Sequence, residues 1–473
     1  MVKTAARPTN GNPSPNAAEM APAYLESVAR DHVWIHSATW VDLAESNGFR
    51  VFDRGEGSTI YDIHGKGYLD GIAGLWVVNA GHGRREIGEV MGEQAARLAY
   101  ASAMNFTTVP AVQLAAMLAE RTPGDLNRVF FCSGGSEAVE TALKIAKQVQ
   151  YMRGFTARYK VIARRGSYHG MTFGAMSLTQ SRRNEKVFGP FMYGVSHVPQ
   201  PDRYRSDFGV DGEQAEIMAA TAVEQEIIYQ GPETVAAVIG EPISTAAGVH
   251  VPSRIYWQML REICDRHGVL LICDEVINGF GRTGTLFAQE QYGIQGDIMT
   301  IAKGLSSGYA PIAAAVVSEK VYDIFKENKS MAIDHLLTFG GHPVAAAAAI
   351  KNLEIFDEEN IVERGAEQGA YLGQKLEELR AHPTVGDVRG VGMVWAIDLV
   401  RSKANKTKWG KDAEYTRRLN DLVAERGLIN RTWDVMHFAP PLIMAREEID
   451  RMVGIADEAL TIVEKEFAGE ITD

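Results

Sequence analysis

Two polar residues stand directly behind short apolar runs: Asp274 behind Val269–Cys273 (VLLIC) and Lys303 behind Ile298–Ala302 (IMTIA). Apolar runs of that length, bounded by polar residues, read as strands buried on both faces. Such strands belong to parallel sheets covered by helices, and ligands bind in open α/β sheets at the carboxyl ends of the strands. Asp274 and Lys303 are 29 positions apart, enough for one crossover back into the same sheet.

The surrounding pattern agrees. Arg128–Cys132 (RVFFC), Tyr159–Ala163 and Val235–Ile239 are strands of the same kind. Between them run amphipathic stretches; after Cys132, residues Ala138, Val139, Ala142, Leu143, Ala146 and Val149 recur at helical spacing. Strands alternating with helices give βαβ units and a mainly parallel sheet. Residues 49–75 differ, reading as short strands with tight glycine turns, and the last hundred residues return to helices at 363–380 and 447–466, with a glycine-marked turn at VRGVGMV. The expected architecture is therefore α/β. A large domain spans residues 76–335, and a small α+β domain is assembled from residues 1–75 and 336–473. Residues 1–20, rich in Pro, Asn and Ala, read as a flexible arm.

Composition removes some classes of partner. A formal net charge of −12 argues against nucleic acid, whose phosphates need a basic surface. Three cysteines, Cys132, Cys264 and Cys273, without CxxC spacing support neither a disulfide framework nor a zinc site. Cys132 and Cys273 each close an apolar run and read as buried thiols in a reducing compartment. No apolar run approaches the ~20 residues of a membrane span, so a soluble, cytoplasmic protein without a metal is expected.

Chemistry gives the pair Asp274 and Lys303 a joint meaning. A desolvated lysine amine becomes a Schiff-base nucleophile near neutral pH. A carboxylate facing a pyridine nitrogen keeps that nitrogen protonated, and the ring then draws electrons from a neighbouring carbanion. Taken singly, Lys303 also fits a solvated lysine at a helix start, and Asp274 a helix cap. Their embedding in GFGRTG (279–284) and KGLSSGY (303–309) favours the joint reading. SGGSEA (133–138) follows a strand and opens a helix, so its backbone N–H groups converge on an anion; Gly134 and Gly135 let the chain approach, and Ser136 adds a hydroxyl. The loop matches neither GxGxxG nor GxxxxGK[ST], which disfavours a nucleotide. Tyr168 and His169, in GSYHG, offer an aromatic face for a planar ring, or else are packing residues. Glu241, in GEP, ends a strand and needs a partner there, near a cofactor or as a helix cap.

In order and spacing, ICDEVINGFGRTG (272–284), AKGLSSGY (302–309) and TFGGHP (338–343) resemble the class III aminotransferases. The similarity runs from GLWVVNAGHG (74–83) to APPLIM (439–444). The resemblance implies PLP fold type I, with pyridoxal 5'-phosphate as cofactor. It makes Lys303 the Schiff-base lysine and general acid/base, and sets Asp274 on the pyridine nitrogen. Val276 and Tyr168 then pack against the two ring faces, Gly135 and Ser136 bind phosphate, and Glu241 supports Asp274 and the ring hydroxyl. Thr338 reaches the phosphate of a neighbouring subunit, so a homodimer, or a dimer of dimers, is implied.

Within the family, GLW (74–76) and Arg431 in INRTW resemble the amine/ω-amino acid:pyruvate branch. Trp76 would line the substrate pocket, and Arg431 would pair with a substrate carboxylate and swing aside for an apolar amine; a loop arginine on the surface is the competing reading. Two positions depart from the pattern: Ser244, in EPISTAAG (241–248), stands where many members have glutamine, and Ala38 where amine–pyruvate members carry an aromatic. The implied reaction moves an amino group from a primary amine or ω-amino acid to a keto acid, pyruvate foremost, by ping-pong kinetics. Alternatives are an aminomutase or a decarboxylating aminotransferase of the same fold. From another class, an NAD(P)-linked dehydrogenase is disfavoured because the dinucleotide fingerprint is missing.

Overall fold

The computed structural model describes residues 21–38, 49–179, 182–328, 330–410 and 412–472; the stretch read as an arm lies outside the described residues. Three short antiparallel strands come first: β1 (Phe52–Glu56), β2 (Thr59–Asp62) and β3 (Gly67–Asp70). The central sheet follows, built from β4 (Leu126–Cys132), β5 (Lys160–Arg164), β6 (Val195–Val198), β7 (Val235–Gly240), β8 (Leu270–Asp274), β9 (Ile298–Ile301) and β10 (Ala313–Ser318). Across the sheet their order is β4-β10-β9-β8-β7-β5-β6. The pairs from β9 to β6 are parallel, whereas β10 runs antiparallel to both β9 and β4. The C-terminal strands are β11 (Val385–Val391), β12 (Val394–Ser402), β13 (Thr407–Lys408), β14 (Leu428–Ile429), β15 (Arg431–Thr432) and β16 (Val435–Phe438). β14 pairs in parallel with β3, so the first sheet is made from both ends of the sequence, while β11-β12-β16-β15 form a third sheet.

The five strands read from apolar runs are all present, and the expected C-terminal helices appear as Ile361–Glu378 and Arg446–Glu466. Every residue of β7, β8, β9 and β10 is buried, as strands covered on both faces require. The helix Gly135–Met152 lays Val139, Ala142, Leu143, Ala146 and Val149 onto Val161, Ala237, Ile239 and Ile272. Each large aliphatic side chain so buried contributes roughly 1.5–3 kcal/mol. All three cysteines are free and buried within this frame. The VRGVGMV turn is the β11–β12 hairpin, where Gly392 takes φ +53°. A Cβ there would meet the Thr283 backbone, so only glycine fits.

One register positions everything that follows: β8 and β9 are parallel neighbours, and Asp274 pairs with Thr300. Asp274 and the turn that begins at Lys303 therefore share the carboxyl edge of the sheet. Among the described residues no helix is long and apolar enough to cross a membrane.

Candidate active site

Asp274 ends β8 and is 3% exposed. Its Oδ2 accepts a hydrogen bond from His169 Nδ1 at 2.7 Å. Its Oδ1 accepts from the Thr300 hydroxyl at 3.0 Å and from the Val276 backbone N–H at 3.1 Å. His169 is itself fixed, its backbone N–H donating to Thr179 Oγ1 at 2.7 Å. A buried acid with both oxygens engaged keeps one orientation. Glu275, next in sequence, turns away and accepts the N–H groups of Ala288 and Gln289; burial pushes its carboxyl up to about 8.

Lys303 opens a 3₁₀ turn at φ +46°, a conformation that costs a non-glycine residue of order 1–3 kcal/mol. Neighbouring contacts impose it. Asn352 donates to the carbonyls of Gly304 and Leu305 at 3.0 and 3.1 Å, and a Cβ on Gly304 would meet Phe280 Cβ at 2.9 Å. The Lys303 side chain is half-buried, its amine lies 5.7 Å from the Trp76 ring centroid, and no described residue offers it a hydrogen bond. Burial lowers that amine to about 8, against the pull of Asp274 and Glu241.

Trp76 enters from a second strained turn, in which Ala73, Gly74 and Trp76 take φ of +47°, +66° and +56°. Buried Asp70 holds it, accepting the Gly74 N–H at 2.7 Å, the Ile72 N–H at 3.3 Å and His82 Nε2 at 2.9 Å. The turn is tied to both glycine-rich segments, because Asn79 donates to the Phe280 carbonyl at 2.8 Å and the Ala80 N–H to Ser307 Oγ at 3.0 Å. Arg282, fully buried, donates to Asn79 Oδ1 at 2.6 Å and to the Met393 carbonyl at 2.9 Å. Backbone strain thus gathers where elements must meet closely, a pattern characteristic of functional sites.

At the next strand end, Gly135 begins a helix of 18 residues. The first N–H groups of a helix lack intrahelical acceptors and attract an anion. Gly135 also packs face to face with Val276, since a Cβ there would stand 2.8 Å from Val276 Cγ1. Ser136 Oγ accepts the Met171 N–H at 3.1 Å, which leaves its own proton available. Glu241 lies buried on the far side: Oε1 accepts the Tyr168 N–H at 2.9 Å and Oε2 the Thr245 N–H at 3.1 Å. Burial raises its carboxyl, with His169 and Arg164 opposing. Ser244 is joined by an amide from another strand end: Gln200 Nε2 donates to Ser244 Oγ at 3.0 Å.

Arg431 is half-buried, with its guanidinium 4.9 Å from the Trp76 ring centroid and 3.6 Å from that of Trp433. No described carboxylate lies within ion-pair distance, and burial lowers the group to about 10. Tyr168, 38% exposed, is close enough to oppose that shift. His437, cross-strand from Arg431, packs edge-on against Trp76 with centroids 5.6 Å apart.

The fold therefore gathers Lys303, Asp274, His169, Tyr168, Glu241, Val276, Gly135, Ser136, Trp76 and Arg431 at the carboxyl edge of the central sheet. Thr338 is exposed and stands apart, beside exposed Leu336 and Phe339; Ala38 is half-buried. Sequence reasoning missed Thr300, Trp433 and His437. Thr300 was within reach, since pairing β8 with β9 sets it opposite Asp274.

The aminotransferase class-III family model matches residues 41–460. A probable aminotransferase of Mycobacterium tuberculosis is 40% identical, over 96% of this chain and 97% of its own length. A putrescine–pyruvate aminotransferase of Pseudomonas aeruginosa is 37% identical, over 92% and 95%. Among solved structures, an (S)-enantioselective ω-transaminase of Thermomicrobium roseum superposes with a TM-score of 0.90 at 40% identity, covering 93% of this chain and 98% of that one. With the strand-end cluster and these relatives together, the chain belongs to the class-III aminotransferases and has the PLP type I fold.

Proposed function

We propose that the chain moves an amino group from a primary amine or ω-amino acid to pyruvate, with pyridoxal 5'-phosphate as cofactor, in two half-reactions. The carrying observation is one of placement. Asp274, closed to solvent and fixed in orientation, and Lys303, with an unpartnered amine, occupy adjacent parallel strand ends. Pyruvate as acceptor is supported by the relative named for a pyruvate reaction.

These residues fit that cofactor on their own terms. The helix that starts at Gly135 has free first-turn N–H groups that would suit a phosphate, and Val276 packs where a Gly135 Cβ would stand. Asp274, buried with both oxygens engaged, would suit a protonated ring nitrogen. When bound, the cofactor supplies an electron sink for charge developing at the amine carbon. Asp274 would hold the proton on the ring nitrogen, and His169 with Thr300 keeps Asp274 aimed. Val276 and Tyr168 would enclose the ring faces, Gly135 and Ser136 would receive the phosphate, and Glu241 would back the ring hydroxyl side. Lys303 Nζ, brought near neutrality by burial, would be the residue that holds the cofactor and the base that takes a proton from the donor's amine carbon and returns it. Well-positioned proton transfer of this kind contributes ~10²–10⁴-fold. Trp76 walls the substrate pocket, and Arg431 receives a substrate carboxylate through its two-pronged fork.

A homodimer completes the site in this reading. Thr338 would reach the phosphate of a neighbouring subunit from an exposed apolar surface that includes Phe106, Leu336 and Phe339, at 70%, 50% and 57% exposure. The test is a panel of donors against pyruvate and 2-oxoglutarate, each half-reaction followed by absorbance. Pyruvate should restore the starting spectrum and yield alanine. Restoration by 2-oxoglutarate alone, or carbon dioxide release without alanine, would sink the acceptor assignment.

A further inference from the structure

Arg431 is a desolvated cation with aromatic rings where an acid would ordinarily stand. One hairpin builds this setting. β15 ends at Thr432, and Trp433 stands in the bend that follows, where its ring comes to lie against the Arg431 guanidinium. His437 is the cross-strand partner of Arg431 in β16, on the same face of the sheet. A tight turn fixes the hairpin, the Trp433 N–H donating to the Val435 carbonyl at 3.1 Å. His437 anchors the arginine's own backbone, Nδ1 donating to the Arg431 carbonyl at 3.4 Å while the ring presses on Trp76 at an interplanar angle of 88°. Above this floor the guanidinium lies 3.6 Å from the centroid of Trp433 and 4.9 Å from that of Trp76.

We infer that Trp433 is a specificity-determining residue: with Trp76 it clasps Arg431 in the substrate pocket, so that the resting site is preset for substrates bearing a carboxylate. The inference rests on the proposed reading of Arg431 as the carboxylate partner. Its physical basis is that a ring face attracts a cation without neutralising it. The charge stays available to an incoming acid, and the side chain is ordered before that acid arrives. A donor without a carboxylate gains nothing from the clasp and must displace the arginine from an indole face. The chemistry recognised is thus a short ω-amino acid or 2-keto acid, in preference to an apolar amine of equal length.

The test uses the cofactor-loaded enzyme and two readouts. The first is the dissociation constant of propionate, a carboxylate with no reacting group, by calorimetry. The second is the ratio of half-reaction efficiency for β-alanine to that for n-butylamine. Trp433→Leu should weaken propionate and lower the ratio by about tenfold, on the scale of a partly desolvated cation–π contact. Trp433→Phe, which keeps a ring face, should recover most of both. Arg431→Leu is the control. If it leaves propionate binding intact, the carboxylate reading of Arg431 fails and this inference fails with it. If Arg431→Leu weakens propionate but both Trp433 variants match the parent, the clasp alone is overturned. An equal loss on β-alanine and n-butylamine in Trp433→Leu and Trp433→Phe overturns it too, since general disruption would not discriminate.

Discussion

His169 Nδ1 lies 2.7 Å from Asp274 Oδ2, with the two side chains 0% and 3% exposed. A carboxylate accepts, so the imidazole carries its proton on Nδ1 and the pair is set by charge as well as shape. The Thr300 hydroxyl and the Val276 N–H occupy the other oxygen. Three donors thus aim one acid, and the acid's charge is what the proposed chemistry uses.

Asp274→Asn keeps the size and removes the charge. The half-reaction with any good donor should slow by at least ~10²-fold, the scale for losing a preorganised electrostatic group. Stopped-flow absorbance measures it directly. A near-parental rate would mean that no ring nitrogen depends on this residue.

That acid and its lysine were legible because each follows an apolar run, and strand ends are where such sheets bind ligands. What stayed hidden was tertiary. Nothing in AAAVVS announces that β10 runs antiparallel, since a strand buried on both faces carries no directional period. β6, with the sequence VSHV, is too polar to be read as an apolar run. Trp433 and His437 join the site only because the hairpin packs on Trp76, far away in sequence. The departure at Ser244 was visible, but Gln200, which meets it, was not.

Lys303 should cost the protein stability when no cofactor is bound. Its folded value near 8 lies below the ordinary unfolded value of ~10.4, because burial disfavours the charged amine. The unfolded chain then binds more protons between those limits, so stability rises with pH across the window and the whole penalty is present at pH 7. That penalty is at most about 3 kcal/mol, less what the partly open side chain recovers from solvent. Lys303→Met, prepared without cofactor, should therefore unfold at higher urea than the parent at pH 7, with the gap closing near pH 10. A destabilised variant at pH 7 would contradict the desolvated placement. Borohydride treatment of the loaded parent should label one peptide, the one containing Lys303.

Gly135 is predicted to be intolerant of a side chain for a local reason. Its φ is helical, so Ala costs no backbone strain, but the new Cβ would stand 2.8 Å from Val276 Cγ1. Val276 must shift, and with it one wall of the proposed ring site. Gly135→Ala should fold normally yet bind pyridoxal phosphate at least ~10-fold more weakly, a loss of about 1.4 kcal/mol. Equilibrium dialysis gives the number. Unchanged affinity would show that the wall and the phosphate site are not shared.

A pH dependence of stability is built in away from the site, at His382. Its Nδ1 lies 2.8 Å from Glu464 Oε2 and its Nε2 2.8 Å from Asp457 Oδ1, while the ring is 9% exposed. The Glu464 hydrogen bond raises the imidazole above 6.5; burial opposes and Asp457 adds to the rise. A base whose folded value is raised contributes fully below its unfolded value and loses that contribution as pH rises through the folded value. Glu464 also accepts the Thr384 N–H at 3.1 Å, so it stays in place when the histidine loses its proton. Asp457 is 59% exposed, and solvent discounts its share. His382→Gln should therefore cost about 1–2 kcal/mol at pH 6 and clearly less at pH 9. Urea unfolding of parent and variant at the two pH values decides it. A cost that is the same at both would assign His382 a packing role, because packing does not titrate.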